Sequence, residues 1–286
     1  MVTAHQKAAV LVEALPYIKK FYGKIIVIKY GGHAMVNCEL KRAVMTDVIL
    51  MKLVGMHPVL VHGGGPEITQ MLKRVGKEST FVNGLRVTDR ETMEIVEMVL
   101  VGKINKEIVA LINSLGGQAI GLCGKDANLI RARKKASDVD IGLVGEVTCV
   151  NPTLIMNVIR DGYIPVIAPI GLGPEGESYN INADHVAGHL AVALGADKLV
   201  ILTDVEGIMV EREGERAVLS TLRLSDIPAL VGQKQIAGGM LPKVECCANA
   251  IRGGVRRAHI LDGRVPHAIL LEIFTDEGIG TMVVEG

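Results

Sequence analysis

Two short runs, Val27-Ile28-Lys29-Tyr30-Gly31-Gly32 and Val59-Leu60-Val61-His62-Gly63-Gly64-Gly65, limit what this chain can fold into more than any other feature. Each reads as a strand apolar at successive residues, which suits burial on both faces, and each stops abruptly at glycines. Continuous runs recur at 118–122, 164–168, 198–203 and 257–261. Between them lie helix-period segments near 39–54, 66–75, 90–114, 152–161, 184–194, 240–252 and 266–273. Alternation of this kind predicts an α/β fold with a mainly parallel sheet covered on both sides. The charged or Gly-interrupted segments 124–140 and 211–217 read as hairpins or loops, and Gly171–Glu177 marks a soft boundary between two unequal lobes.

The glycines carry chemical meaning as well. Without a Cβ the main chain can approach an anion closely, and a helix starting just beyond adds unpaired N–H groups and the positive end of its dipole. Neither loop has the spacing of a Walker or a dinucleotide-binding motif. An ordinary strand-to-helix turn would explain either one alone. Lys29 at the end of a buried strand needs an anion or water for its ammonium, and a phosphate is the simplest partner.

Bulk properties exclude several classes. The 286 residues carry 31 basic and 31 acidic side chains, so there is no basic field for nucleic acid. Tryptophan is absent and aromatics make up 3%, which leaves no stacking platforms for single strands. The five cysteines show no Cys-x-x-Cys spacing, and an odd count argues against a disulfide framework. No apolar run reaches the roughly 18–20 residues of a membrane span, and the N-terminus lacks the pattern of a signal peptide. A cytoplasmic globular protein, with no nucleic-acid or membrane partner, is the expectation.

Four further segments complete the chemical inventory. Asn83-Gly84 makes a tight turn, after which Arg86 could offer its planar fork to a carboxylate; a solvated arginine is the plainer reading. Asn182 or Asp184 could cap the following helix, yet a carboxylate there could also orient lysines around a phosphoryl group. Thr203-Asp204 ends a strand, where open α/β sheets bind ligands. Gly238-Gly239 precedes Lys243 in the first turn of a helix. Each is weak alone; together they supply what phosphoryl transfer needs, positioning and charge neutralisation. No metal-binding cluster is evident.

The set resembles the amino acid kinase family from about residue 24 onward, and within it the branch acting on N-acetylglutamate. The resemblance rests on Ile28-Lys29-Tyr30-Gly31-Gly32, Val61-His62-Gly63-Gly64-Gly65-Pro66, Asn83-Gly84-Leu85-Arg86-Val87-Thr88, Asn180-Ile181-Asn182-Ala183-Asp184, Leu202-Thr203-Asp204-Val205 and Gly239-Met240-Leu241-Pro242-Lys243, in that order and spacing. It implies a three-layer αβα sandwich, with a lobe over 23–177 for the acyl amino acid and one over 178–286 for ATP. It also implies ATP-dependent phosphorylation of the γ-carboxylate of N-acetyl-L-glutamate in arginine synthesis, with Mg2+ held mainly by the nucleotide. By carry-over, Lys29 and Lys243 stabilise the transferred phosphoryl group and Asp184 orients both. Gly64, Gly65, Arg86 and Asn180 hold the acyl amino acid. Gly31 and Gly32 line the phosphates, and Thr203, Asp204 and Gly239 lie at the nucleotide. His33 and Thr69 stand where the family pattern has asparagine. A kinase for a longer acyl amino acid such as acetylaminoadipate, or a silent arginine sensor, are the alternatives.

The first 22 residues read separately. Ala8, Leu11, Leu15, Ile18 and Tyr22 form an apolar helical stripe that Pro16 should kink or break. The helix either packs on its own domain or reaches another subunit. Family members inhibited by arginine have such a kinked helix joining dimers into a hexameric ring, so the resemblance implies a trimer of dimers, with room on it for a nitrogen-signalling partner. Arginine is then expected near Tyr17, His267, Glu272 and Gly278.

Overall fold

In the computed structural model, residues 3–212, 215–276 and 278–286 are described, without the side chains of His33 and Arg212. The singled-out His33 side chain and the tip of the 211–217 segment therefore lie outside the described residues.

Eight strands form one sheet, in the order Thr221–Arg223, Thr281–Val284, Arg257–Asp262, Lys198–Thr203, Ile25–Tyr30, His57–His62, Ile164–Ala168 and Ala119–Cys123. Neighbours run parallel except Arg257–Asp262 against Thr281–Val284. The first strand in the chain is central: it pairs with His57–His62 on one side and, after the chain returns, with Lys198–Thr203 on the other. Strand order thus reverses at Ile25–Tyr30, where a parallel sheet opens a crevice at its carboxyl ends. Lys29 sits at that end.

Parity divides the core. Val27, Val59, Leu199 and Ile201 belong to one apolar layer, with residues of the helices Thr153–Arg160, Ala183–Ala193 and Leu241–Arg252. Ile26, Ile28, Leu60 and Val200 belong to the other, with Cys38–Leu53, 90–114 and Ala268–Phe274. Successive side chains on a strand point to opposite faces, so Lys29 shares the face of Val27 and meets the helix that begins at Ala183.

The six expected strands and the long helices are present within one or two residues. Short polar pieces were less legible: Thr221–Arg223 and Thr281–Val284 extend the sheet edge, and Ser178–Asn180, Ile170–Leu172, Ile130–Lys134 and Gly145–Val150 form a second sheet. Gly173–Glu177 is the turn between two of its antiparallel strands. Segment 90–114 is helical throughout but not uniform, for Met98–Ile104 is π-helical.

At the N-terminus the helix Ala4–Glu13 is capped by Thr3 and Gln6 and restarts over Leu15–Phe21, with Pro16 in its first turn. The break falls at Ala14, one residue ahead of the Leu15 that proline constrains directly; Pro16 has no N–H to continue the ladder of the first helix and sits in the first turn of the second, where none is needed. Nothing in Ala4–Glu13 is buried, and Leu11 stays 73% exposed. Over Ala4–Glu13 the apolar stripe therefore does not pack on its own domain; the second piece does, with Phe21 buried, Tyr17 and Ile18 half-buried and the Tyr22 ring against Gly55.

Candidate active site

Three distant side chains meet at the crevice. Asp184, in the first turn of Ala183–Ala193, places Oδ1 3.0 Å from Lys29 Nζ and accepts a hydrogen bond from Lys243 Nζ at 2.7 Å on Oδ2. Asn182 caps that helix by accepting from the Asp184 N–H at 2.8 Å, so Asn182 is the cap and Asp184 is free to face the lysines. Burial alone would raise the Asp184 carboxyl, but the two ammonium groups outweigh it and hold the group at about 2. Two cations around one carboxylate leave a unit of positive charge at the crevice, which suits an anion.

Local sequence explains the geometry. Gly31 leaves room for the Lys29 side chain to pass over it; a Cβ there would lie 2.6 Å from Nζ. Gly32 has φ of +70° and the Asp204 carboxylate lies against it. From the other side, Cys246 Sγ donates to the Asp184 carbonyl at 2.8 Å, a link that nothing local in the sequence signalled.

Asp184 and Lys243 line a cleft of about 990 Å³, together with Gly239, Lys135 and the Asn83–Leu85 turn. Asn83 and Gly84 both have positive φ (50° and 77°), the tight-turn geometry that this pair of residues favours. The same hairpin also borders a smaller cavity of about 190 Å³, lined by Gly64, Gly65, Arg86 and Asn180. All four residues expected to hold the acyl amino acid thus face one space, which shares Gly84, Leu85 and Asn182 with the cleft of Asp184 and Lys243.

Arg86 is buried and not solvated. Its guanidinium donates to Ser79 Oγ, to Gly65 O at 2.9 Å and to Thr69 Oγ1 at 2.7 Å, and stacks 4.7 Å from the Phe81 ring centroid. Asn180 Nδ2 donates to Thr88 Oγ1, which donates to the Arg86 carbonyl. Ser79, Phe81 and Thr88 were missed because contact across a hairpin and a second sheet leaves no local pattern. Thr203 and Asp204 end the neighbouring strand beside Gly32 and do not line the 990 Å³ cleft.

The residues expected around arginine are divided. Tyr17, Glu272 and Gly278 line one cavity of about 260 Å³ with Lys198, His259 and Asp276. His267 stands apart: its Nδ1 meets the buried Asp47 carboxylate, because the left-handed turn at His267 (φ 60°) directs the ring toward Cys38–Leu53. Glu272 Oε1 accepts from Lys198 Nζ at 2.9 Å and pairs with His259 Nδ1 at 2.9 Å. Burial would raise Glu272, but His259 and Lys198 hold it below the usual carboxylate range; burial likewise lowers His259.

The chain belongs to the amino acid kinase family, whose profile matches residues 24–262. It is 68% identical to the acetylglutamate kinase of Pelotomaculum thermopropionicum and 66% identical to that of Moorella thermoacetica. These matches cover 99% of both chains and 98% of both chains, respectively. Among solved structures it superimposes on N-acetylglutamate synthase from Neisseria gonorrhoeae, with TM-score 0.85, 24% identity, 98% of this chain and 63% of that one. A carbamate kinase from Giardia lamblia bound to AMP-PNP gives TM-score 0.68 at 18% identity, over 92% and 99% of the chains. At that identity the likeness concerns the fold.

Proposed function

We infer that this chain is an acetylglutamate kinase: it catalyses ATP-dependent phosphorylation of N-acetyl-L-glutamate in arginine biosynthesis. High identity over the whole length of named relatives supports the reaction. The observation that carries the mechanism is the single carboxylate shared by two lysines at the 990 Å³ cleft, which Asp184 and Lys243 line.

In this reading a γ-carboxylate oxygen of the substrate attacks the terminal phosphorus of ATP, the bond to the bridging oxygen breaks, and N-acetyl-L-glutamyl 5-phosphate and ADP leave. The nucleophile is already an anion at neutral pH, so no general base is needed. Lys29 and Lys243 neutralise charge on the transferred oxygens, and Asp184 keeps both ammonium groups at one place. Arg86 pairs with the α-carboxylate, while Gly64, Gly65 and Asn180 complete the acid site. Gly31 and Gly32 approach the phosphates; Thr203, Asp204 and Gly239 serve the nucleotide. Asp184 is fully engaged by its lysines, and no cluster that could hold a metal exists among the described residues. That donor set fits Mg2+ arriving on the nucleotide phosphates, where it would offset their charge. In this reading 23–177 handles the acid and 178–286 the ATP. No helix among the described residues is long and apolar enough to cross a membrane, which accords with a cytoplasmic site of action.

The test is ATP consumption with N-acetylglutamate, trapping the acyl phosphate with hydroxylamine. Formation of the hydroxamate is expected; no hydroxamate above the acid-free control would reject the reading.

L-Arginine is the proposed inhibitor, bound in the cavity of Tyr17, Glu272 and Gly278, and the exposed Ala4–Glu13 helix is the proposed link between dimers in a hexamer. A nitrogen-signalling partner would dock on that ring. Removing residues 1–22 should leave an arginine-resistant dimer; a truncated protein still hexameric and inhibited rejects this regulatory scheme.

A further inference from the structure

One buried polar pair has no place in the mechanism above. His62 is the last residue of the strand His57–His62 and Asn105 opens the helix Asn105–Ser114; both are fully buried. Their side chains meet at 3.3 Å, Asn105 Nδ2 to His62 Nε2. Asn105 Nδ2 also donates to Val166 O at 2.9 Å, which identifies that atom as the amide nitrogen. His62 Nε2 therefore accepts. The other ring nitrogen, Nδ1, lies 2.8 Å from Gly63 O. A carbonyl can only accept, so Nδ1 carries the proton and the ring is a neutral imidazole of one tautomer. Burial pushes its pKa down to about 4, in keeping with that state.

Two features accommodate this pair, and one of them also reaches the glycine loop. The π-helical stretch Met98–Ile104 immediately precedes Asn105. Each residue inserted into an α-helix turns everything beyond it by about 100°, so the insertion determines which side chain faces His62. Gly121, on the neighbouring strand, leaves space that Asn105 Oδ1 fills; a Cβ there would overlap it. The π-helical stretch also lays Leu100 and Ile104 against Gly64, where a Cβ would fall 2.6 and 2.5 Å from their terminal methyls. Support thus reaches the glycine loop from two directions, by hydrogen bond at Gly63 and by packing at Gly64.

We propose that His62 and Asn105 are positioning residues for the substrate acid: through the Gly63 carbonyl they hold the orientation of the Gly63–Gly64–Gly65 main chain that lines the acid cavity. The proposal rests on the reading of Gly64 and Gly65 as acid-binding. The Gly63 N–H is already held by Tyr30 O at 2.8 Å, but a free Gly63–Gly64 peptide could rotate, since glycine has little torsional preference, and the Gly64 N–H would turn with its carbonyl. The imidazole removes that freedom without placing a charge beside an anionic substrate.

Three variants test this. His62→Leu removes both hydrogen bonds. His62→Asn keeps a donor near the Nδ1 position and so keeps the bond to Gly63. Asn105→Asp puts a carboxylate against Nε2 and favours a charged imidazole. The KM for N-acetylglutamate is expected to rise about tenfold in His62→Leu, the scale of one lost hydrogen bond, with the KM for ATP within about twofold. His62→Asn should restore most of the loss, and Asn105→Asp should make the acid KM change with pH between about 5 and 8. Equal changes in both KM values, no rescue by asparagine, or a lowered melting temperature with unchanged KM would overturn the proposal. Wild-type protein inactive on N-acetylglutamate rejects the functional reading instead. Crystal structures then decide: the Gly63–Gly64 peptide is expected to be displaced in His62→Leu and in register in His62→Asn. An unmoved loop in the leucine variant overturns the proposal whatever the substrate. Should His62→Leu not fold, the acid KM profile and loop position of Asn105→Asp decide in the same way.

Discussion

Asp184 and Glu272 are both buried carboxylates paired with a buried or half-buried lysine, yet their surroundings differ. They lie at opposite ends and on opposite faces of the central strands. Lys29 is near the carboxyl end of its strand and shares the face of Val27; Lys198 begins its strand and shares the face of Val200. Around Asp184 there are two ammonium groups and an open cleft. Around Glu272 there is one ammonium, under the Phe21 ring at 5.1 Å, and an imidazole that burial keeps neutral, with Asp276 across the cavity. Asp184 answers two ammonium groups, whereas Glu272 answers one ammonium and an imidazole in a cavity whose wall also holds Lys20, Arg257 and Asp276. In the proposed reading the paired lysines at Asp184 meet phosphate, and the Glu272 and Asp276 carboxylates meet the guanidinium of arginine.

Breaking the first cluster should have the larger effect. Lys243→Met is expected to lower kcat by about 100-fold or more, the scale of losing one charge-stabilising donor, and to leave arginine affinity unchanged by calorimetry. A loss under about threefold in steady-state assays removes Lys243 from the mechanism. Breaking the second should separate regulation from chemistry. Glu272→Gln is expected to weaken arginine inhibition by about tenfold or more, as for losing a charged hydrogen bond, with kcat kept. Its melting temperature should fall, because Lys198 loses its buried partner. Inhibition curves that superimpose on wild type would place the effector elsewhere.

Acid titration sharpens the contrast through stability. Asp184 has a native pKa near 2 against an ordinary 3.8. A depressed carboxyl contributes stability that is complete above about pH 4 and is lost as pH falls through 2. The shift amounts to about 2 kcal/mol, so Asp184→Asn should flatten the acid limb of the stability curve between pH 4 and 2, read by urea unfolding. An unchanged limb would mean that the lysines do not hold this carboxylate ionised. The smallest effect belongs to the cavity rim. Tyr17 lines the cavity together with Asp276, and Tyr17→Phe should cost about threefold in arginine affinity, one neutral hydrogen bond; no change would confine arginine to the Glu272 end.

Much of this was readable one segment at a time. The continuous apolar runs specify buried strands, the Asn83-Gly84 pair specifies its turn, and the six motifs lead to the family that the profile confirms. Elements with weak local signals were not readable. Thr281–Val284 and Thr221–Arg223 are strands because the sheet edge accepts them, and the π-helical turn at Met98–Ile104 hides inside a regular helical period. The site shows the same division. Lys29, Asp184 and Lys243 are nominated by motif, and Thr69 by its departure from one, whereas Ser79, Phe81 and Thr88 around Arg86 appear only once a hairpin and a second sheet converge. His267 shows the converse: a motif-adjacent residue that the turn before its helix aims at Asp47 and away from Glu272.

By itself the sequence determined the parallel sheet, the glycine-ended strands and the family, because hydrophobic period and glycine's freedom act over a few neighbouring residues. The family resemblance already implied that Asp184 would serve Lys29 and Lys243; tertiary structure alone decided that Glu272 would serve a lysine and a histidine. Strand parity chooses the face on which a side chain emerges, but which helix then covers that face depends on where the chain returns to the sheet. That return is settled by packing between segments far apart in sequence.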